Sequence, residues 1–354
     1  VKPRLLVVTP VHPADDPRIR GKLIATLASE WDVRYATGAP GPVDPVGLEW
    51  VPLPGGRLRR HLRAARLLLA GRYDLASLHD PELLPEAILA RLLRRRVVFD
   101  LHENLPAQIT TKRWIPRLLR RPTAALARVV LRGAERLMPI TLAEPGYRTL
   151  LRRDHPVFPN YLHDLPDLPA EPPAAGPVVY LGDVTVDRGI ELAVAALARL
   201  PDPPPLLAIG RCRRDLAARL RQQAAAGNVP LDLAGYLPHA EALPRVAQAR
   251  VALSPLLDRP NYRESLPTKI LEYLALGVPV VASDLPATRR LATEVAGIRL
   301  FSPGNTASLA AAVASVLVED GTLQEEARHG AGEIRRRFAW PASDVRDWYR
   351  AVRG

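Results

Sequence analysis

The sequence predicts an α/β protein built from two Rossmann-like, doubly wound domains. Three observations predict it. Short, buried-looking apolar runs alternate with helical patterns along nearly the whole chain, as in parallel sheets covered on both faces. The alternation breaks once, over 160–177, where Pro166, Pro169, Pro172, Pro173 and Pro177 fall with little apolar periodicity, and then restarts. At 354 residues the chain is long enough for two separate cores. The expected division is a first domain over 1–160, a linker over 161–177 and a second domain over 178–339, with a helix in the tail 340–354.

Arg4 to Thr9 is the first buried strand. A loop rich in Pro, His and Asp follows, and Pro17 opens a helix to about Ser29. Asp32 to Thr37 and Leu48 to Leu53 are strands, and Arg57 to Leu69 is a basic helix. Asp74 to His79 is a strand, Pro81 to Leu93 a helix and Arg96 to Leu101 a strand. Thr110 to Arg136 looks less regular, with basic residues interleaved by Trp114, Ile115, Leu118 and Leu119. A strand over Leu137 to Ile140 and a helix over Leu142 to Leu151 complete the half.

In the second half, strands are expected at Val178 to Leu181, Pro205 to Ile209, Val229 to Leu233 and Val251 to Ser254. Helices are expected at Gly189 to Leu200, Asp215 to Ala225 and Glu241 to Gln248. The stretch from Glu264 to Asp284 reads loop, helix, turn, strand. Pro267 suits a first helical turn, Ile270, Leu271 and Leu274 form an apolar stripe, and Gly277 and Pro279 end the helix. A helix after Asp284, a strand near Ile298, a helix from Thr306 and a tail helix from Trp340 to Val352 close the chain.

The chain carries 49 Lys and Arg against 37 Asp and Glu, a net charge of +12. Such a balance favours an anionic substrate or an anionic membrane surface. Aromatic residues make up only 5% and no reader motif appears, so nucleic acid is not expected as a partner. The single Cys212 excludes an intramolecular disulfide and a multi-cysteine metal site, and fits a reducing cytoplasm. No apolar run has the length of a bilayer span and no signal-peptide pattern opens the sequence, so the expected location is cytoplasmic. There is no G-x-G-x-x-G, no G-x-x-x-x-G-K-[ST] and no G-x-S-x-G, which argues against a dehydrogenase, a P-loop NTPase and a serine hydrolase.

Two details of the Glu264 to Asp284 stretch do not follow from folding. Lys269 lies in the first helical turn, where the helix dipole disfavours a cation. Glu264 and Glu272 bracket it with seven residues between them. Free N–H groups at a helix start together with a lysine suit a phosphate. A carboxylate beyond them can accept hydrogen bonds from two vicinal hydroxyls. Phosphate plus diol points to a nucleotide sugar. In the first half, polar clusters stand at the carboxyl ends of three strands, where doubly wound sheets place ligands. They are His12 to Arg18, His79-Asp80 and His102-Glu103.

The run Glu264-Ser-Leu-Pro-Thr-Lys-x-x-Glu272-Tyr-x-x-x-Gly-x-Pro-Val-Val-Ala resembles the E-x7-E region of retaining glycosyltransferases of family 4, which have the GT-B fold. Asp16-Pro-Arg-Ile19 and Asp100-Leu-His-Glu103 are similar to further segments of that family. The resemblance implies two Rossmann-like domains facing a cleft, with a last helix that crosses back to the first. It implies an enzyme that moves a sugar from a nucleoside-diphosphate donor to a hydroxyl acceptor without a metal or other cofactor. By it, Glu264 lies by the donor sugar and Glu272 binds the ribose. Arg188 and Lys269 stabilise the leaving diphosphate, and Leu266, Thr268, Gly182, Arg211 and Tyr236 complete the donor site. His102 stands near the reacting sugar, with His12, Asp16, Arg18, His79 and Glu103 on the acceptor side. The chain departs from the pattern in having Asp183 after Gly182, where the family commonly has Arg, and Arg188 in place of Lys. Three readings therefore stand: the transferase, a sugar-nucleotide epimerase or hydrolase of the same fold, and a non-catalytic partner subunit. The basic segment 112–136 is a further expectation, a peripheral contact with an anionic membrane at its cytoplasmic face.

Overall fold

The computed structural model describes every residue except 39, 42–46, 112–114, 169–175 and 319–320. Pro169, Pro172 and Pro173 of the expected linker, and Lys112, Arg113 and Trp114 of the expected membrane segment, lie outside the described residues. The chain divides into two compact units. One comprises Val1–His163 with Trp340–Gly354, the other Asp164–Ala339.

The first unit is a six-stranded parallel sheet. Its strands are β1 (Arg4–Thr9), β2 (Asp32–Thr37), β3 (Leu48–Pro52), β4 (Leu75–Leu78), β5 (Val97–Leu101) and β6 (Ile140–Leu142). Their spatial order is β3-β2-β1-β4-β5-β6. Alternate side chains of β1 feed two cores. Leu6 and Val8 join Leu68, Leu84, Phe99 and Leu131 on one face. Leu5 and Val7 join Ile19, Leu27, Trp340, Val345 and Tyr349 on the other. The helix Ala342–Arg353 thus belongs to the core of the first unit. Trp340 Nε1 also donates to Thr26 Oγ1 at 2.9 Å. The chain order reverses between β1 and β4, which makes their carboxyl ends the switch point of this sheet.

The second unit repeats the architecture. Its strands are β7 (Val178–Leu181), β8 (Leu206–Ile209), β9 (Leu231–Gly235), β10 (Val251–Ser254), β11 (Val280–Ser283) and β12 (Ile298–Phe301). The order is β12-β11-β10-β7-β8-β9, again all parallel, with the switch point between β7 and β10. Val178, Tyr180, Leu206, Leu253 and Val281 pack with Ile190, Val194, Leu309 and Val313 in one core. No single helix among the described residues is long and apolar enough to cross a membrane.

Several local expectations are corrected. The segment expected to be less regular holds the helices Leu105–Thr111 and Arg117–Leu137, the second running for 21 residues despite Pro122. Met138 N–H still bonds Ala134 O before Pro139 stops the helix, so Leu137 ends a helix and the strand starts only at Ile140. The helix expected over Leu142 to Leu151 is a 3-10 segment, Pro145–Leu150, because Pro145 and Gly146 disfavour a longer one. The helix expected from Pro17 begins at Ile19 as a π-helical turn, Ile19–Ile24, and continues as Ala25–Leu27. Asp16 starts it, its Oδ1 accepting the N–H groups of Arg18 and Ile19, both at 2.9 Å.

Candidate functional site

At the switch point of the first unit, a buried polar network starts from Asp100 at the end of β5. Its carboxylate takes a fork from Arg18, with Nε and Nη2 each at 2.8 Å, and the Thr141 hydroxyl at 2.7 Å. Burial alone would raise the Asp100 pKa, but the Arg18 charge and hydrogen bonds hold it well below the usual carboxylate range. Arg18 also donates to Phe158 O at 2.9 Å. His79 Nδ1 stands 3.4 Å from Asp100 Oδ2, and its Nε2 stands 3.3 Å from Ser77 Oγ, which in turn meets the Tyr349 hydroxyl at 2.8 Å.

His102 and His12 carry the network to the sheet edge. His102 Nδ1 lies 3.0 Å from Asp100 O, so this nitrogen carries the proton and donates it to the carbonyl. Its Nε2 is left as an acceptor, 3.1 Å from His12 Nε2. His12 Nδ1 sits 2.7 Å from Asp80 Oδ1, and Asp80 also accepts from Thr9 Oγ1 at 2.8 Å and Val11 N–H at 3.2 Å. Burial works against the His12 charge, yet the hydrogen bond and charge of Asp80 raise its pKa to about 9. Burial lowers the pKa of His102, and the charges of His12, His79 and Arg18 lower it further against the pull of Asp100. Two adjacent imidazoles therefore hold opposite states at neutral pH: His12 is a cation that donates, and His102 is neutral and accepts.

The acceptor-side group expected from the sequence divides in two. His12 and His102 keep 17% and 12% of their side chains exposed, and Asp16 and Glu103 are half-buried, so these four can meet a ligand. Arg18 and His79 cannot, being closed in by Asp100, Phe158 O and Ser77, and they act by holding Asp100. His79, Asp100 and His102 also bring three ligand-type atoms within 4.8 Å of one another, a spacing that could hold a metal ion. The set does not fit one, because the guanidinium of Arg18 already occupies both oxygens of Asp100.

In the second unit, β7 ends at Leu181 and Gly182 turns with φ +119°. A side chain on Gly182 would start 3.2 Å from Arg188 Nη1, so glycine gives the guanidinium its place beside the strand end. Gly189 has φ +80°, and its absent Cβ would lie 1.8 Å from Pro255 O, just past β10. This close approach brings the Arg188 turn against β10 at the switch point. The helix Thr268–Ala275 follows Pro267, which sits at the cap rather than inside the first turn. Lys269 is 9% exposed, and its Nζ has no hydrogen-bond partner. Nζ lies 3.9 Å from the centre of the Tyr180 ring. Burial first, then repulsion from Arg188, pushes the Lys269 amine well below its ordinary range, with Glu272 pulling the other way. The ring face offsets about 0.5–2 kcal/mol of this, small beside the several kcal/mol of burying an unpaired ion.

The two glutamates are each held by a side chain from elsewhere in the unit. Glu272 Oε1 pairs with His239 Nε2 at 2.9 Å, and Glu264 Oε2 accepts from Arg290 Nη2 at 2.8 Å. Glu264 is exposed and Glu272 only partly so. Leu266 and Thr268 are half-buried between them along the chain. Arg211 stacks over the ring of Tyr236 at 4.4 Å, and both are exposed. Asp183 is exposed, and its backbone carbonyl accepts from the Tyr180 hydroxyl at 2.8 Å. The Tyr273 hydroxyl accepts the Leu181 N–H at 2.7 Å and ties this helix to the end of β7. A separate cavity of about 490 Å³ lies toward the other end of the helix, beside Leu274. It is lined by Glu294, Glu325, Glu326 and Glu333, which would repel a diphosphate.

Sequence reasoning missed Tyr180, His239 and Arg290 here, and Ser77, Thr9 and Tyr349 in the first unit. Tyr180 had a readable signal, an aromatic residue two places before a glycine at a strand end. His239 and Arg290 had none, since each meets its glutamate from another element, 33 and 26 residues away.

Residues 176–319 match the family described as glycosyl transferases group 1. The chain is 26% identical over 304 residues to a phosphatidyl-myo-inositol mannosyltransferase of Mycobacterium leprae, covering 82% of this chain and 77% of that protein. Sucrose-phosphate synthase from Thermosynechococcus elongatus has a similar structure, with a TM-score of 0.77 and 19% identity over 99% of both chains. Anabaena HepE, in a complex with UDP-glucose, is similar with a TM-score of 0.72 and 14% identity over 98% of both chains.

Proposed function

From the premise that the chain is a glycosyltransferase whose residues 176–319 form a glycosyl transferases group 1 domain, we propose that it moves a sugar from a nucleoside-diphosphate sugar to a hydroxyl acceptor, with retention at the anomeric carbon. The observation that carries this reading is Lys269, a buried, unpartnered amine at a helix start, beside Arg188 and three residues before Glu272. The second unit takes the donor. Glu272 releases His239 and accepts the ribose hydroxyls, while Glu264 exchanges Arg290 for hydroxyls of the donor sugar. Breaking the bond between the anomeric carbon and the phosphate oxygen puts negative charge on the diphosphate. Arg188, Lys269 and the first N–H groups of the helix Thr268–Ala275 stabilise that charge without a metal. The acceptor oxygen attacks the same face, and its proton passes to the departing phosphate oxygen. Glu264 positions the sugar and forms no bond to it. Gly182, Leu266 and Thr268 shape the site, and Arg211 with Tyr236 offers a flat face for the base.

The first unit takes the acceptor. His102, His12, Asp16 and Glu103 line the place it would take and hold its polar groups. A lipid-linked acceptor is supported by the mannosyltransferase relative, whose name specifies a phosphatidylinositol. It is also supported by the helix Arg117–Leu137. Leu118, Pro122, Ala125 and Val129 recur at i, i+4, i+7 and i+11, and all are exposed. Arg121, Arg128, Arg132 and Arg136 run beside this outward apolar stripe. We assign the protein to the cytoplasmic face of an anionic membrane, held peripherally by this helix.

Calorimetric titration with UDP, GDP, ADP and dTDP tests the donor site. One nucleotide should bind at micromolar affinity, and Glu272→Ala should weaken it by about 1–3 kcal/mol. No binding by any of the four, in protein shown to be folded, would refute the reading and point to a non-catalytic partner subunit.

A further inference from the structure

Lys269 has no counter-ion within hydrogen-bond reach. From β7 it faces the ring of Tyr180, and from the turn after β7 it faces the like charge of Arg188. On its own helix, Glu272 attracts it, but Oε1 of that carboxylate is engaged by His239 at 2.9 Å. The neighbouring Tyr273 hydroxyl is committed to the Leu181 N–H. Nζ itself is enclosed and unpartnered. Such a group is stable as an amine and costly as an ammonium. A diphosphate brought to the same place supplies the missing anion and acceptor oxygens, and reverses the preference.

We infer that Lys269 is a neutral amine in the free protein and that binding of a nucleoside diphosphate draws one proton from solvent onto its Nζ. The inference rests on the donor-site reading above and adds the proton linkage of that site. The balance is simple: amine, proton and nucleotide combine to give an ammonium bound to the diphosphate. Release of the nucleotide returns the proton. The direction with pH follows. Affinity is flat at pH values low enough to protonate the free amine. Above that it falls tenfold per pH unit until the bound ammonium itself loses its proton. Lysine suits this role because its charge can be withdrawn, whereas an arginine would remain a buried cation throughout the empty state.

The test is titration of the full chain with UDP, or with whichever of GDP, ADP and dTDP binds, at about pH 8. There the nucleotide's own phosphates, which ionise near about pH 6, are already charged. The heat is measured in buffers of different ionisation enthalpy, so that its slope counts protons. Wild type should take up about one proton per nucleotide. Lys269→Arg, checked for folding by near-UV circular dichroism, should bind with about none, and Glu272→Ala should bind more weakly while still taking one up. If wild type binds with no proton uptake, or the arginine variant takes up as many protons as wild type, the inference is overturned while the donor site stands. If no nucleotide binds folded wild type, the donor reading fails and takes the inference with it. Should the arginine variant not fold, the wild-type slope and the fall of affinity with pH decide alone.

Discussion

His12 and His102 are the same residue type, 3.1 Å apart, and differ only in what lies behind them. Behind His12 stands the carboxylate of Asp80. Behind His102 stands a carbonyl, and beside it are three cations or potential cations. The His12 pKa rises from 6.5 to about 9 on folding, so its contribution to stability is complete below the unfolded value and lost as pH climbs through the folded one. Asp80→Asn removes the partner. The stability gap between wild type and this variant should reach about 3 kcal/mol near pH 6 and shrink toward zero by about pH 10. Urea unfolding at both pH values measures it, and a gap independent of pH would rule out the charged pair. The sequence made His12, Asp80 and His102 visible as polar residues at strand ends. It did not show that Arg18 and His79 are sealed inside, because that depends on Asp100 drawing both inward across 82 and 21 positions of chain. Tyr349 reaches Ser77 across 272 positions and leaves no local trace at all.

The central strands were legible because a parallel sheet buries both their faces, so β1, β4, β7, β10 and β11 appear as short, largely apolar runs bounded by turns. The helix Arg117–Leu137 was not. It carries one apolar stripe inward, through Leu131 and Ala134, and a second outward, through Leu118 and Val129. The helical periodicity itself is strong, and what hid it is Pro122, which adds a false stop in the second turn. The outward stripe takes no part in the core. Replacing Leu118, Leu126 and Val129 with serine should leave the melting temperature nearly unchanged, since exposed positions contribute little to folding. The same change should reduce binding to vesicles of phosphatidylglycerol and phosphatidylcholine by about tenfold or more, each leucine forfeiting roughly 1.5 kcal/mol of burial. Co-sedimentation of both proteins decides it, and equal binding would remove this helix as the membrane contact.

At the scale of the molecule, the second unit is continuous from Asp164 to Ala339, while the first is assembled from two separated pieces of chain. The later piece brings Trp340, Val345 and Tyr349 into the core beside Leu5, Val7 and Ile19. A chain ending at Ala339 should lose these contacts, at about 3–5 kcal/mol for each large aromatic. Calorimetry of that chain should show the first unit melting much earlier or already open, and the second unit little changed. An unaltered first transition would mean that the tail packs without stabilising. The division also orders events on the ribosome. All six strands of the first unit emerge early, yet the face of their sheet built by Leu5 and Val7 stays incompletely covered until the entire second unit has been synthesised. The second unit is one continuous stretch and can close as it appears. During that interval Ile19, Leu23, Ile24 and Leu27 cover only part of this apolar face, and the rest waits for Trp340, Val345 and Tyr349. The first fold begun is the last one closed.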